Sequence, residues 1–313
     1  MDILTGVLSN QSFPVVATIG FFDGVHKGHQ YLLQQVTETA RKHHLHSMVI
    51  TFKNHPKQIL CPDSQPALIT SFEERLHLIA GCGIDYCYLL DFTHEMANMT
   101  ATNFMNVYLK DLLNVKILFI GYDHHFGSDP AMTFENYKEC GSLLGITVLQ
   151  ASKFDSGTYQ NISSSAIRSL IQTGQIEQAN CLTGHPYTLS GKIVAGRQLG
   201  RKLGFPTANI RIISDKILPR EGVYAVRASV SGKSFTGVAN WGKRPTVDSA
   251  GQMFLEVHLL DFNTDIYDEQ IEVSFMKYLR TEKHFRSLEE LANAMQKDIA
   301  ATRLYFNNLC TIQ

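Results

Sequence analysis

The sequence predicts an α/β unit built on a doubly wound parallel sheet, followed by a small antiparallel β-barrel that carries a C-terminal helix. Three observations predict it. The chain has 313 residues, and single hydrophobic cores stop growing at roughly 250–300 residues, so two domains are expected. The first half alternates short apolar runs with helix-period segments, the pattern of strands joined by crossover helices. After about residue 180 the helical stretches thin out and strand signals follow one another. The boundary is placed in the segment Thr183-Gly184-His185-Pro186, giving units 1–183 and 184–313.

Val15-Val16-Ala17-Thr18-Ile19 is an apolar, β-branched run that ends at Gly20, and a helical pattern follows over residues 29–43. Residues 47–52 form the next strand. Ser71 with Glu74 three residues later is a capping box that opens a helix to about residue 80. Residues 86–90 read as a third strand, Thr100 caps a helix through residue 113, and residues 115–120 are a fourth strand. A helix over residues 131–144 leads into a fifth strand at 146–150. In such sheets ligands sit outside the strand carboxyl ends, where the strand order reverses. Short helices are expected at 164–173 and 176–182, then strands at 189–194, 223–230, 235–239, 254–260 and 271–278. Ser231-Gly232-Lys233 between two alternating runs is a hairpin turn. Ser287 with Glu290 caps a final helix to about residue 306.

Composition narrows the function classes. Hydrophobic residues at 44% supply a packed core and exclude wholesale disorder. Lys and Arg number 28 against 29 Asp and Glu, a net charge of −1, which argues against a nucleic-acid coat or a polybasic membrane binder. The six cysteines are scattered without a C-x-x-C pair, as expected for reduced thiols. No apolar run approaches the roughly 18 residues of a membrane span, and the first residues lack a signal-peptide pattern. A cytoplasmic protein is expected, with small-molecule substrates and no nucleic-acid, membrane or obligate protein partner.

The loop after the first strand is Gly20-Phe21-Phe22-Asp23-Gly24-Val25-His26-Lys27-Gly28-His29. Gly20 and Gly24 permit a tight turn, and Gly28 permits close backbone approach to a ligand. His26 and His29 lie three apart at a helix start, on one face. Free N–H groups and the dipole there favour phosphate, and two imidazoles suit an anionic phosphoryl transition state. Thr51-Phe52-Lys53-Asn54-His55-Pro56 follows the second strand, Gly121-Tyr122-Asp123-His124-His125 follows the fourth, and Ser163-Ser164-Ser165-Ala166-Ile167-Arg168 opens a later helix. Asp123-His124-His125 is also similar to the Asp-His-His of metal phosphoesterases, but the further Asp clusters of those enzymes are absent. His43, His44 and His46 read as an exposed helix end, and Arg280, Lys283 and Arg286 as a solvated basic loop.

In the second half, Gly196, Gly200 and Gly204 leave backbone free to wrap a polyphosphate, while Arg197, Arg201 and Lys202 supply positive charge. Phe205-Pro206-Thr207-Ala208-Asn209 completes the stretch. It is not a Walker A loop. Ser231-Gly232-Lys233-Ser234 mimics one, but Arg227 occupies the first-glycine position. Glu256 alternates with Leu255 and Val257 and so faces away from them.

These motifs, in order, resemble the bacterial bifunctional riboflavin kinase/FAD synthetase family over nearly the whole chain. The first loop resembles the His-x-Gly-His signature of nucleotidyltransferases. Residues 196–209 resemble the flavokinase signature, and Gly237-Val238-Ala239-Asn240-Trp241-Gly242 and Phe254-Leu255-Glu256-Val257-His258 match further on. The resemblance implies a Rossmann-like nucleotidyltransferase unit and a riboflavin kinase barrel. ATP would phosphorylate riboflavin to FMN, and a second ATP would adenylylate FMN to FAD with release of pyrophosphate. It gives His26, His29, Ser164 and Arg168 to phosphate handling, with Gly20, Phe22, Asp23, Gly28, Asn54, His55 and Asp123 at the nucleotide and flavin site. In the kinase it gives Gly196, Gly200, Arg201, Gly204, Phe205, Pro206 and Asn240 to binding, Thr207 and Asn209 to Mg2+, and Glu256 to the catalytic base. His124 stands where many members have Phe, Asn54 where Pro is frequent, and Ser165 where Thr is usual. One alternative leaves the amino half a nucleotide-binding but inactive domain. Another, a flavin sensor or RNA-binding barrel, sits poorly with the near-neutral charge and the intact phosphate-handling motifs.

Overall fold

The computed structural model describes residues 1–6, 13–61, 63, 66–122, 125–154, 162–195, 200, 204–212, 215–243 and 253–311. The chain divides into two compact units, Met1–Ser164 and Ser165–Gln313.

The amino unit runs β1 (Asp2–Thr5), β2 (Val15–Ile19), α1 (Lys27–His43), β3 (His46–Phe52), α2 (Pro56–Leu60), α3 (Phe72–Gly81), β4 (Tyr86–Leu90), α4 (His94–Ala97), α5 (Ala101–Phe104), β5 (Val115–Ile120), α6 (Phe134–Leu144) and β6 (Thr147–Gln150). All pairings are parallel, in the order β1-β4-β3-β2-β5-β6. β2 is buried along its length because a parallel sheet is covered on both faces. Val15, Ala17 and Ile19 pack on one side with Met48, Ile50 and Phe104. Val16 packs on the other with Leu33, Val36 and Val49. From β2 the chain first adds β3 on one side, and later β5 on the other. The switch point therefore lies at the carboxyl ends of β2 and β5.

Two features differ from expectation here. β1 adds a sixth strand at the edge, beside β4. The helix expected over 100–113 is α5 followed by a π-helical segment, Met105–Leu112. Met105, Leu109 and Leu113 recur every four residues and are fully buried.

The second unit contains α7 (Ser164–Thr173) from its second residue, then α8 (Ile176–Thr183), β7 (Tyr187–Val194), β8 (Ala208–Ile212), β9 (Gly222–Val230), β10 (Lys233–Lys243), β11 (Met253–Leu259), β12 (Gln270–Arg280) and α9 (Leu288–Thr311). The six strands close into an antiparallel barrel, β10-β11-β8-β7-β12-β9. β8 is a strand the sequence reading did not assign. Leu189, Ile193, Ile210, Leu255, Val273 and Phe275 are buried in this unit. Trp241 is 1% exposed, and its Nε1 donates to the Pro219 carbonyl at 3.0 Å. Ser231 and Gly232 both have positive φ, 50° and 71°, as a two-residue hairpin turn requires.

Two ties fasten helices to the barrel. Asn180 Nδ2 donates to the Phe275 carbonyl at 2.8 Å, and its Oδ1 accepts from the Tyr187 amide at 2.8 Å. Arg280 is not solvated as expected: its guanidinium pairs with Asp298 of α9 at 2.8 Å, and Asp298 is buried. Among the described residues no helix is long and apolar enough to cross a membrane.

Candidate active sites in the two units

The loop leaving β2 bends sharply. Phe22, Gly24 and Val25 have φ of 58°, 76° and 34°, conformations that persist only where surroundings hold them. The Asp23 carboxylate supplies much of that hold. It accepts from the Ile69 amide at 3.0 Å, the Thr70 amide at 3.2 Å and the Thr70 hydroxyl at 3.2 Å. The Gly24 amide donates to Thr70 Oγ1 at 3.1 Å. Asp23 is thus buried and engaged with the protein.

His26 is the N-cap of α1: its Nδ1 accepts from the His29 amide at 3.2 Å. The two imidazoles stack at 3.6 Å with planes 15° apart, and the Phe22 ring meets His29 edge-on at 5.2 Å. A Cβ at Gly28 would lie 3.2 Å from the His26 ring, and one at Gly20 would lie 3.0 Å from the Phe22 ring. Both glycines therefore give room to the side chains of the loop. Ser164, far along the chain, donates its hydroxyl to the Asp23 carbonyl at 2.9 Å. Arg168 follows one turn later on the same face of α7. His55 caps α2 through Nδ1 and meets the Phe21 ring edge-on at 4.4 Å. Asn54 is exposed, and Asp123 lies outside the described residues.

Sequence reasoning missed Ile69, Thr70 and Arg75 here. Arg75 reads as an ordinary cation near the start of α3, yet it is 2% exposed beneath the loop. Burial pulls its guanidinium down to about 10. No sequence signal separated it from a solvated arginine.

In the second unit the site rests on register. Asn209 of β8 pairs directly with Glu256 of β11, which pairs directly with Asn240 of β10. Directly opposed residues project from the same sheet face, so a carboxylate lies between two carboxamides across three strands. Their neighbours Ile210, Leu255, Val257, Ala239 and Trp241 are buried, which puts the row on the opposite, outer face. Asn209 is 6% exposed, and Glu256 and Asn240 are half-buried. Asn240 Nδ2 donates to Glu282 Oε1 at 3.0 Å, a partner the sequence did not indicate.

Thr207 lies two residues before Asn209, immediately ahead of β8. The Phe205 amide donates to the Gly200 carbonyl at 2.8 Å, and Gly204 has φ of +83°. A Cβ at Gly200 would sit 2.3 Å from the Phe205 carbonyl oxygen and 3.4 Å from Thr207 Oγ1. The Pro206 carbonyl is 2.8 Å from His258 Nδ1. Beside Thr207 opens a cleft of about 290 Å³, also walled by Pro206, Phe262, Asn263, Asp265 and Tyr267. Gly196 and Arg201 lie outside the described residues. Among the described residues no group of three or more His, Cys, Asp or Glu is placed to hold a metal.

Residues 9–166 match the family described as FAD synthetase, and residues 183–306 match riboflavin kinase. The chain is 38% identical over 310 residues to the bifunctional riboflavin kinase/FMN adenylyltransferase of Escherichia coli strain K12, covering 98% of each. The chain belongs to that family. Other members of the bifunctional riboflavin kinase/FMN adenylyltransferase family are 37% identical in Pseudomonas fluorescens, over 92% of each chain. In Bacillus subtilis the identity is 34%, over 94% of this chain and 93% of that one. A crystal structure from Streptococcus pneumoniae, reported as a macrolide-efflux protein, aligns with a TM-score of 0.86 and 31% identity over 97% of this chain and 99% of its own. The family matches in both halves favour two activities over the kinase-only alternative.

Proposed function

We propose that the barrel unit phosphorylates riboflavin with ATP, giving FMN and ADP, and that the amino unit adenylylates FMN with a second ATP, giving FAD and pyrophosphate. The observation that carries this reading is the in-register row Asn209, Glu256, Asn240, with Thr207 two residues ahead of Asn209. It sets the Glu256 carboxylate between two carboxamides, of which the Asn240 one also donates to Glu282. In the kinase step the ribityl 5′-hydroxyl attacks the γ-phosphorus, the bond to the β–γ bridging oxygen breaks, and Glu256 accepts the hydroxyl proton.

Thr207 and Asn209 fit Mg2+ because they offer a hydroxyl and a carbonyl oxygen, the hard donors this ion prefers. Gly200 leaves the space in front of Thr207 open. Bound with ATP, the ion would draw negative charge from the phosphates. Gly196, Gly200, Arg201, Gly204, Phe205 and Pro206 are assigned to the nucleotide-binding turn.

In the amino unit an FMN phosphate oxygen attacks the α-phosphorus and pyrophosphate leaves. No base is needed, because the nucleophile is already an anion, so the work is positioning and charge stabilisation. The bond accepted at Nδ1 places the proton of neutral His26 on Nε2, which can donate to a phosphoryl oxygen. His29, Ser164 and Arg168 are assigned to the same phosphates, and Gly20, Phe22, Asp23 and Gly28 shape the loop that presents them. Asn54, His55 and Asp123 are assigned to the rim of the site. We place the functional boundary at residues 183/184. A cytoplasmic location suits the free thiols of Cys61, Cys82, Cys87, Cys140 and Cys181.

Chromatography of products from riboflavin, ATP and Mg2+ tests the reading. Glu256→Gln should lower FMN formation by at least ~100-fold, the range of a general base, while FAD still forms from supplied FMN. His29→Ala should do the reverse. Riboflavin phosphorylation unchanged in Glu256→Gln would remove the base assignment.

A further inference from the structure

Arg75 has no part in the motifs above, yet it links two of the loops that carry them. Its Nη1 donates to the Phe21 carbonyl at 3.2 Å and its Nη2 to the Phe52 carbonyl at 2.6 Å. Phe21 is the second residue after β2, and Phe52 is the last residue of β3. The guanidinium also lies 3.9 Å above the Phe21 ring, and that ring meets His55 edge-on at 4.4 Å. One planar cation thus fixes the carbonyl just before the strained Phe22-Asp23-Gly24-Val25 turn, the strand end before His55, and the aromatic surface between them.

The location is costly. Arg75 is 2% exposed, and a buried charge is tolerated only where it is compensated. Its Nε has no hydrogen-bond partner among the described residues. The charged or titratable groups acting on it are Asp23 of the β2 loop and Cys87 of β4. Asp23 is engaged by the Ile69 and Thr70 amides, and burial keeps the Cys87 thiol protonated, pushed up to about 12. Beyond the Asp23 charge, Arg75 is compensated by the Phe21 and Phe52 carbonyls and by the Phe21 ring, at the carboxyl ends of β2 and β3.

We propose that Arg75 is a positioning residue for adenylyl transfer: its cation fastens the β2 and β3 loops together and lends positive charge behind the phosphate-binding turn. This rests on reading the amino unit as the FMN adenylyltransferase. Arg75 itself touches no substrate in this scheme.

The test measures FMN adenylylation, by pyrophosphate release, and riboflavin phosphorylation in the same full-length preparations. Arg75→Met should lose at least ~100-fold in kcat/KM for FMN adenylylation, with the kinase rate within about twofold. Arg75→Lys separates charge from shape. Burial that lowers an arginine also lowers a lysine, from its ordinary ~10.4. The variant should hold its activity near pH 7 and lose at least ~10-fold as its ammonium deprotonates toward pH 9.5, where the wild type stays flat relative to it. A purely structural defect would scale the rate down without bending that pH profile. Arg75→Met within about threefold of wild type, or an Arg75→Lys profile parallel to wild type, overturns the proposal. Wild-type protein that releases no pyrophosphate from FMN and ATP overturns the adenylyltransferase reading instead.

Discussion

Asp23→Ala should weaken the amino unit selectively, and the size of the effect follows from what the carboxylate holds. Asp23 is 4% exposed and accepts from two backbone amides, Ile69 and Thr70, as well as from the Thr70 hydroxyl. The hydroxyl can rotate to another acceptor, but the two amides cannot, and Ile69 and Thr70 are themselves 2% and 4% exposed. Each buried donor left without a partner costs about 1–3 kcal/mol, so the pair costs about 4 kcal/mol. With a urea dependence near 2 kcal/mol per molar, the unfolding midpoint of the amino unit should fall by about 2 M. Far-UV circular dichroism carries the transitions of both units, and the amino unit's is the one expected to move. Trp241, the sole tryptophan, lies in the barrel and reports the other unit in the same sample. Asp23→Asn keeps one acceptor oxygen and should fall between. A shift below about 0.5 M in the first transition, or an equal shift in the tryptophan signal, would refute the reasoning.

Three further outcomes are expected. Gly200→Ala should cut riboflavin phosphorylation at least ~10-fold and leave FMN adenylylation intact, because the new Cβ meets the Phe205 carbonyl at 2.3 Å and backbone must move; initial rates of both reactions check it. A fragment starting at residue 184 should retain kinase activity but melt a few degrees below one starting at 165. It lacks Asn180, which bridges the Phe275 carbonyl and the Tyr187 amide at 2.8 Å each; tryptophan fluorescence on heating reads this. In the native protein at pH 8, alkylation should mark exposed Cys61 and Cys181 well before Cys87. Burial pushes the Cys87 thiol up to about 12, so its reactive thiolate is scarce until far higher pH; peptide mass spectrometry should show it unlabelled.

Much of the fold was legible because strand and helix periods are local. The runs at β2 and β3 are short, rich in Val and Ile, and bounded by turn residues, and the Ser71–Glu74 capping box forms as read, with both bonds present. β1 escaped because Asp2–Thr5 is four residues with a mostly exposed pattern, a strand only by virtue of its partner β4. β8 escaped because its residues sit inside a glycine-rich signature whose turn character masks five extended residues. The site divides the same way. The His26 cap and the glycine turns follow from nearest neighbours in sequence. The alignment of Asn209, Glu256 and Asn240 depends on how three strands slide past one another, which no local pattern encodes. Arg75 and Thr70 act across long stretches of chain, so a reading along the sequence gives them no distinction.

The two sheets also differ in how they end. The barrel's strands close on themselves, whereas the amino sheet stops at β1 on one border and β6 on the other, with Ile3 half-uncovered on the first. Unsatisfied main-chain groups along such borders are templates for a neighbouring molecule's chain. Clumping on heating or mild acid should therefore begin with the FAD-forming half, and freezing out that border, by a proline or a lysine in place of Ile3, is the rational first step toward a preparation that survives concentration.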